Sequence, residues 1–240
     1  MNIVMPMAGR GSRFQTAGFD LPKPLIDVRG RPMYAWAMDS LPLELADRVI
    51  FICQQEHLDD RRLRADIESR YPGLNTSIIG IDYVTEGQAC TVLLAKQFID
   101  EDKPLLIYNA DTYCRSDIGA VLGALPGDVG GVISVFEAPG DKWSFARLDE
   151  SGDVVETAEK RRISNLATTG LYHFSSGAEF VAHTEAMVAA DERERGEFYV
   201  APVYNRLIRA GRRVVVNSAQ EIWVLGTPED LAHFEGNYKG

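Results

Sequence analysis

Met5-Pro-Met-Ala-Gly-Arg-Gly-Ser-Arg-Phe14, running on to Pro22-Lys23-Pro24, carries the residue types that bind a polyphosphate. Asn2 to Met7 reads as a short apolar strand. The loop after it sets Gly9 and Gly11 two apart, where missing side chains let backbone N–H groups turn toward an anion. Between Arg10 and Arg31 five cations (Arg10, Arg13, Lys23, Arg29, Arg31) stand against two carboxylates (Asp20, Asp27), in a chain of formal net charge -10. A local reversal of that kind suits a small, highly charged anion. The Walker string Gly-x4-Gly-Lys-Ser/Thr is absent, and the dinucleotide pattern fails because Phe14 stands where its third glycine belongs. On these residues alone a tight strand-to-helix turn with solvated arginines stays open.

Four later groups could complete a site. Asp111 follows the apolar run Pro104 to Asn109, and the end of a strand is where an α/β sheet presents groups to its crevice. Such an aspartate can hold magnesium, which takes one or two carboxylates completed by phosphate and water, or can simply cap a turn. Glu86-Gly87-Gln88-Ala89 lies at a strand-to-helix junction, where Gly87 admits a planar ring and Gln88 offers both donor and acceptor to its edge. A plain helix N-terminus is the alternative. Glu159-Lys160 closes a strand, the usual place for solvated charges. Thr168-Thr169-Gly170-Leu171-Tyr172 and Glu197-Phe198-Tyr199 suit ordinary core and loop as readily as a binding wall.

Arg13-Phe14, with Lys23 flanked by prolines further on, resembles the opening signature of the nucleotidyltransferase family, whose members attach a nucleoside monophosphate to a sugar phosphate or similar acceptor. The resemblance runs from Ile3 to about Leu231. It implies that Met7, Ala8, Gly9, Arg10, Gly11 and Ser12 hold the triphosphate, and that Lys23 and Arg13 are the catalytic cations. It implies base reading by Glu86, Gly87, Gln88 and Ala89, and magnesium as cofactor on Asp111. The acceptor then falls to Asn109, Glu159, Lys160, Thr169, Gly170 and Glu197.

The late signature, Gly226-Thr227-Pro228-Glu229-Asp230, departs from the family pattern at Val224, where a second metal-binding Asp normally stands. Asp111 alone, or Asp111 with Glu221 or another carboxylate brought close by the fold, must then serve. Phe14, Gly18, Pro22 and Lys23 together resemble a bacterial branch associated with capsule and lipopolysaccharide precursors, including enzymes with non-sugar acceptors. The expected reaction joins an NTP to a phosphorylated acceptor and releases pyrophosphate. A sugar 1-phosphate is the first expectation, with a cytidylyltransferase for a phosphocholine- or phospho-amide-like acceptor second. A non-catalytic nucleotide-binding regulator is the reading from another class, favoured by Val224 and opposed by Lys23 and Asp111.

The elements that must position these residues read as β-α alternation through residue 136: strands Arg48 to Cys53, Ser77 to Val84, Pro104 to Asn109 and Gly131 to Phe136, with helices Pro32 to Leu41, Leu58 to Arg70 and Cys90 to Phe98. This predicts an α/β fold with a doubly wound, mostly parallel sheet, Rossmann-like as in nucleotidyltransferases. The second half reads as a hairpin around Glu150-Ser151-Gly152-Asp153, a strand Leu171 to Phe174, helices Ala178 to Ala190 and Val200 to Ala210, two short strands, and a helix capped by Thr227. With no linker between them, the halves make one domain, 1–240, comprising a nucleotide-binding half 1–136 and an acceptor-binding half 137–240 with a small mixed subregion.

Composition bounds the partners. An excess of 35 acidic over 25 basic residues argues against a nucleic-acid or anionic-membrane face. No apolar run reaches the roughly 18 residues needed to span a bilayer. Three widely spaced cysteines without C-x-x-C suggest reduced thiols and a cytoplasmic protein. His57, His173, His183 and His233 lack ligand spacing.

Overall fold

The computed structural model describes residues 1–59 and 62–240. Strands Asn2–Met7 (β1), Asp27–Val28 (β2), Arg31–Pro32 (β3), Arg48–Gln54 (β4), Thr76–Ile81 (β5) and Leu105–Tyr108 (β6) come first. Thr112–Arg115 (β7), Val129–Glu137 (β8), Ser144–Leu148 (β9), Val154–Glu159 (β10), Leu166–Phe174 (β11), Arg213–Ser218 (β12) and Glu221–Val224 (β13) follow.

The centre of the main sheet is parallel, in the order β6-β1-β4-β5. β1, β4 and β6 are almost continuously apolar because both of their faces are covered. Alternate residues divide between two cores. Val4, Ile50, Ile52, Leu105 and Ile107 enter one, while Ile3, Met5, Phe51, Leu106 and Tyr108 enter the other. The α/β, doubly wound fold read from the sequence is present.

The second half joins this sheet through β11, which runs antiparallel to β6 on one side and to β8 on the other. β8 therefore keeps the sense of β6 but is separated from it by β11, and β12 lies parallel beyond β8. The register of β11 against β8 shifts between Thr168 and Tyr172, where Gly170 adopts φ 88°, and past this irregularity Ala167 pairs with Phe145 of the β9–β10 hairpin.

Two helices expected from the sequence differ in detail. Cys90 to Phe98 resolves into Gln88–Leu93 and Lys96–Ile99, and Leu58 to Arg70 into Glu56–Asp59 and Arg62–Arg70, its remaining residues lying outside those described. The helix Val203–Arg209 ends before Gly211 at φ 82°, and Thr227 Oγ1 accepts from Asp230 N at 3.1 Å to cap Pro228–Asn237. A pair the sequence did not disclose matters most for the site. β7 and β13 run antiparallel with Val224 opposite Thr112, which brings the late signature beside Asp111. A third core of Phe14, Trp36, Leu225 and Phe234 among others packs the C-terminal helix against the first signature.

Candidate active site

Lys23 opens a single 3₁₀ turn, Lys23–Leu25, between Pro22 and Pro24. Its ammonium donates to Asp111 Oδ2 at 2.6 Å and to the Gly226 carbonyl at 3.3 Å. Both side chains are partly shielded, 21% and 30% exposed. Asp111 is fixed from behind, because Leu225 N donates to its carbonyl at 2.8 Å as β13 meets β7. Gly11, at φ 63°, begins the helix Ser12–Thr16, and a Cβ there would stand 3.0 Å from Lys23 Cβ. Glycine thus lets the loop close over the lysine stem.

This pair lies in a cleft of about 490 Å³ at the carboxyl ends of the parallel strands. Of the residues singled out from the sequence, the fold brings Met7, Ala8, Gly9, Lys23, Gly87, Gln88, Asn109, Asp111, Glu159, Thr169, Gly170 and Glu197 to its wall. Arg10, Gly11, Ser12, Arg13, Glu86, Ala89 and Lys160 lie off that wall. Arg10, Ser12 and Arg13 are exposed, and neither arginine pairs with a carboxylate among the described residues. Ala89 is buried, its N–H donated to Phe198 O at 2.9 Å. Glu86 points outward to Arg193. Lys160, at φ 48°, turns its ammonium to Tyr199 Oη at 2.9 Å.

Within the cleft, Gln88 Nε2 donates to Asn109 Oδ1 at 2.5 Å, and Asn109 in turn fills the space a Gly170 side chain would need. One hydrogen-bonded pair therefore links the loop 86–89 to the strand that carries Thr168 to Gly170. Glu159 is buried, and desolvation pushes its carboxyl above the ordinary range, while a hydrogen bond from Ser144 and the charge of Lys160 pull the other way. Glu159 N donates to Glu194 Oε2 at 2.5 Å.

Sequence reasoning missed Lys142, Trp143 and Ser144, which line the cleft at the start of β9. Lys142 Nζ stands 4.6 Å from the Trp143 ring centroid. A cation and an indole side by side at a strand entrance was the available signal. Val224 and Ile222 also face the cleft, so Glu221, on the opposite face of β13, cannot supply the missing carboxylate. It is held instead by Trp223 Nε1 at 2.7 Å and Arg115 at 3.3 Å.

Among the described residues no group of three or more His, Cys, Asp or Glu side chains could hold a metal. Asp111 and the Gly226 carbonyl do form an oxygen donor set around a cation, the Lys23 ammonium. That set fits magnesium carried in on a triphosphate, since magnesium keeps its waters and needs only one or two carboxylates.

The family model described as nucleotidyl transferase matches residues 2–239. The chain is 24% identical over 230 residues to the UTP--glucose-1-phosphate uridylyltransferase AglF of Haloferax volcanii, covering 89% of this chain and 86% of that protein. It is 25% identical over 233 residues to the bifunctional protein GlmU of Cupriavidus necator, covering 93% of this chain but only 48% of GlmU. In structure it is similar to the nucleoside-diphosphate-sugar pyrophosphorylase from Vibrio cholerae RC9, with TM-score 0.83, 31% identity, and coverage of 98% and 100% of the two chains. With the match running from end to end and both signatures converging on Lys23 and Asp111, the chain belongs to the nucleotidyl transferase family of enzymes.

Proposed function

We propose that this enzyme joins an NTP to a sugar 1-phosphate, giving an NDP-sugar and pyrophosphate, with magnesium as its cofactor. The observation that carries this reading is the contact of Lys23 with Asp111 in a cleft walled on one side by Gly87 and Gln88 and on the other by Glu159, Thr169 and Glu197. The glycine loop and its exposed cations Arg10 and Arg13 receive the triphosphate, and the base lies against Gly87 with its edge toward Gln88. An acceptor phosphate oxygen attacks the α-phosphorus, and the bond from that phosphorus to the α,β-bridging oxygen breaks in line, so that the β- and γ-phosphates leave together as pyrophosphate. Lys23 leaves Asp111 for the α-phosphate and stabilises the charge that develops there. Asp111 would hold magnesium, which would supply charge neutralisation to the phosphates.

Glu159, Thr169 and Glu197 offer oxygens to the hydroxyls of a ring, and Lys142 and Lys160 offer charge to its phosphate. The names of AglF and of the Vibrio cholerae pyrophosphorylase support a sugar acceptor. The string Phe14, Gly18, Pro22 and Lys23 supports a place in capsule or lipopolysaccharide precursor synthesis. Three free cysteines, two of them buried, fit a reducing cytoplasm, and among the described residues no helix is long and apolar enough to cross a membrane. The two halves, 1–136 and 137–240, work as one domain because the cleft takes its walls from both.

A screen of four NTPs against phosphorylated acceptors, read by pyrophosphate release with magnesium, tests this reading. Turnover with a sugar 1-phosphate is expected. Turnover confined to CTP with phosphocholine-like acceptors would replace it by the cytidylyltransferase reading.

A further inference from the structure

Residues 191–199 run over the surface and bind both sides of the cleft. On the nucleotide side, Phe198 N donates to Glu86 O and Ala89 N donates to Phe198 O, each at 2.9 Å. Gly87, at φ 139°, lies so close to the Phe198 backbone that a Cβ would overlap it. On the acceptor side, Glu194 accepts from Glu159 N at 2.5 Å, and Arg195 Nη2 donates to Lys160 O at 3.0 Å. The segment is thus a strap between the base loop and the Glu159-Lys160 pair.

Its course is not one the backbone adopts freely. Asp191, Arg195 and Gly196 have φ of 51°, 52° and 86°, and Arg195-Gly196 turn the chain between Glu194 and Glu197, whose backbones exchange two hydrogen bonds at 3.0 Å. Arg193 ties this course to the base loop. Its guanidinium stacks 4.2 Å from the centroid of the buried Phe198 ring, pairs with Glu86, and donates to Asp191 Oδ1 at 2.5 Å and to Gly196 O at 3.3 Å. Neither Arg193 nor Glu86 lines the cleft. An exposed ion pair by itself adds little stability. A planar cation between a carboxylate and an aromatic face instead fixes a geometry, which lysine cannot reproduce.

We propose that Arg193 is a positioning residue that couples nucleotide binding to acceptor binding by clamping the strap onto the base loop. This rests on the reading above, in which loop 86–89 holds the base and Glu159, Lys160 and Glu197 meet the acceptor. With the clamp in place, seating the base orders Phe198, and with it Glu197 and Tyr199 on either side. Without it, each substrate must order its own wall.

The test uses the full chain and the variants Arg193→Ala, Arg193→Lys and Glu86→Gln. Arg193→Ala should raise the KM of both NTP and acceptor by roughly 10-fold with a smaller change in kcat, the size of a typical coupling between sites. Arg193→Lys should recover only part of this loss. Glu86→Gln should add little in the Arg193→Ala background, because the two act through one contact. Amide exchange at Ala89 and Phe198, measured without substrate, should accelerate in Arg193→Ala. Unchanged exchange overturns the clamp whether or not a substrate pair has been found. Faster exchange with both KM values unchanged overturns the coupling. Absence of turnover by the wild-type protein counts against the functional reading alone.

Discussion

Lys23 Nζ and Asp111 Oδ2 meet at 2.6 Å across 88 residues of chain, so the lysine of the glycine loop is the counter-ion of the strand-end carboxylate before any substrate arrives. Val224, where the family resemblance leads one to expect a second carboxylate, faces the same cleft. A metal approaching Asp111 in the free protein meets a carboxylate already paired with a cation.

Calorimetry should therefore show no magnesium binding to the free protein and magnesium-dependent binding of NTP. Val224→Asp should make magnesium binding to the free protein measurable. Asp111→Asn keeps the shape but removes the charge, and should abolish turnover. Tight magnesium binding by the wild-type free protein would contradict this single-carboxylate account.

Gln88 is braced by Asn109 at 2.5 Å, which orients its amide toward the cleft. Gln88→Ala should narrow the ratio of kcat/KM between the best and second-best NTP, because discrimination by a buried polar group depends on leaving wrong edges unpaired. Asn109→Ala should narrow it as well, by freeing Gln88. Ratios unchanged in both variants would place base reading elsewhere.

Gly170 has φ 88°, and a Cβ on it would overlap the Asn109 side-chain amide. Gly170→Ala should lower Tm by roughly 2 to 4 °C for each kcal/mol of backbone strain and displacement. It should also raise the acceptor KM. A variant with wild-type Tm and KM would show that the Gly170 bulge has no part in shaping the wall.

His173 is buried on β11, and desolvation pushes its pKa down to about 4. The folded protein then binds fewer protons than the unfolded chain between that value and the ordinary 6.5, so stability rises with pH across this window and is lost as pH falls through it. Urea unfolding should give about 2 kcal/mol less stability at pH 5 than at pH 7 from this group. His173→Leu should flatten that part of the profile, and an unchanged slope would remove His173 as its source.

The parallel core was legible because β1, β4 and β6 are apolar runs between helical segments, and burial on both faces leaves that mark on a sequence. The lysine, the glycine loop and the strand-end Asp111 were legible as chemistry in sequence order. Their meeting was not, because β7 and β13 are four-residue strands that pair across about 100 residues and carry no local signal. The face of Glu221 followed only once that pairing was known. The antiparallel insertion of β11 between β6 and β8 escaped for a similar reason, since an apolar strand does not state its direction. Arg193 sits in a run of alternating charges, Asp191 to Glu197, that reads as solvated until Phe198 is seen beneath it.

The central claim is that Lys23 acts on the transferred phosphate, and pyrophosphate release by Lys23→Ala tests it most directly. A preorganised charge of this kind contributes about 3 to 4 kcal/mol in the transition state, so turnover should fall by roughly 100-fold or more with Tm close to wild type. Release at near wild-type rate by a folded Lys23→Ala would contradict the account.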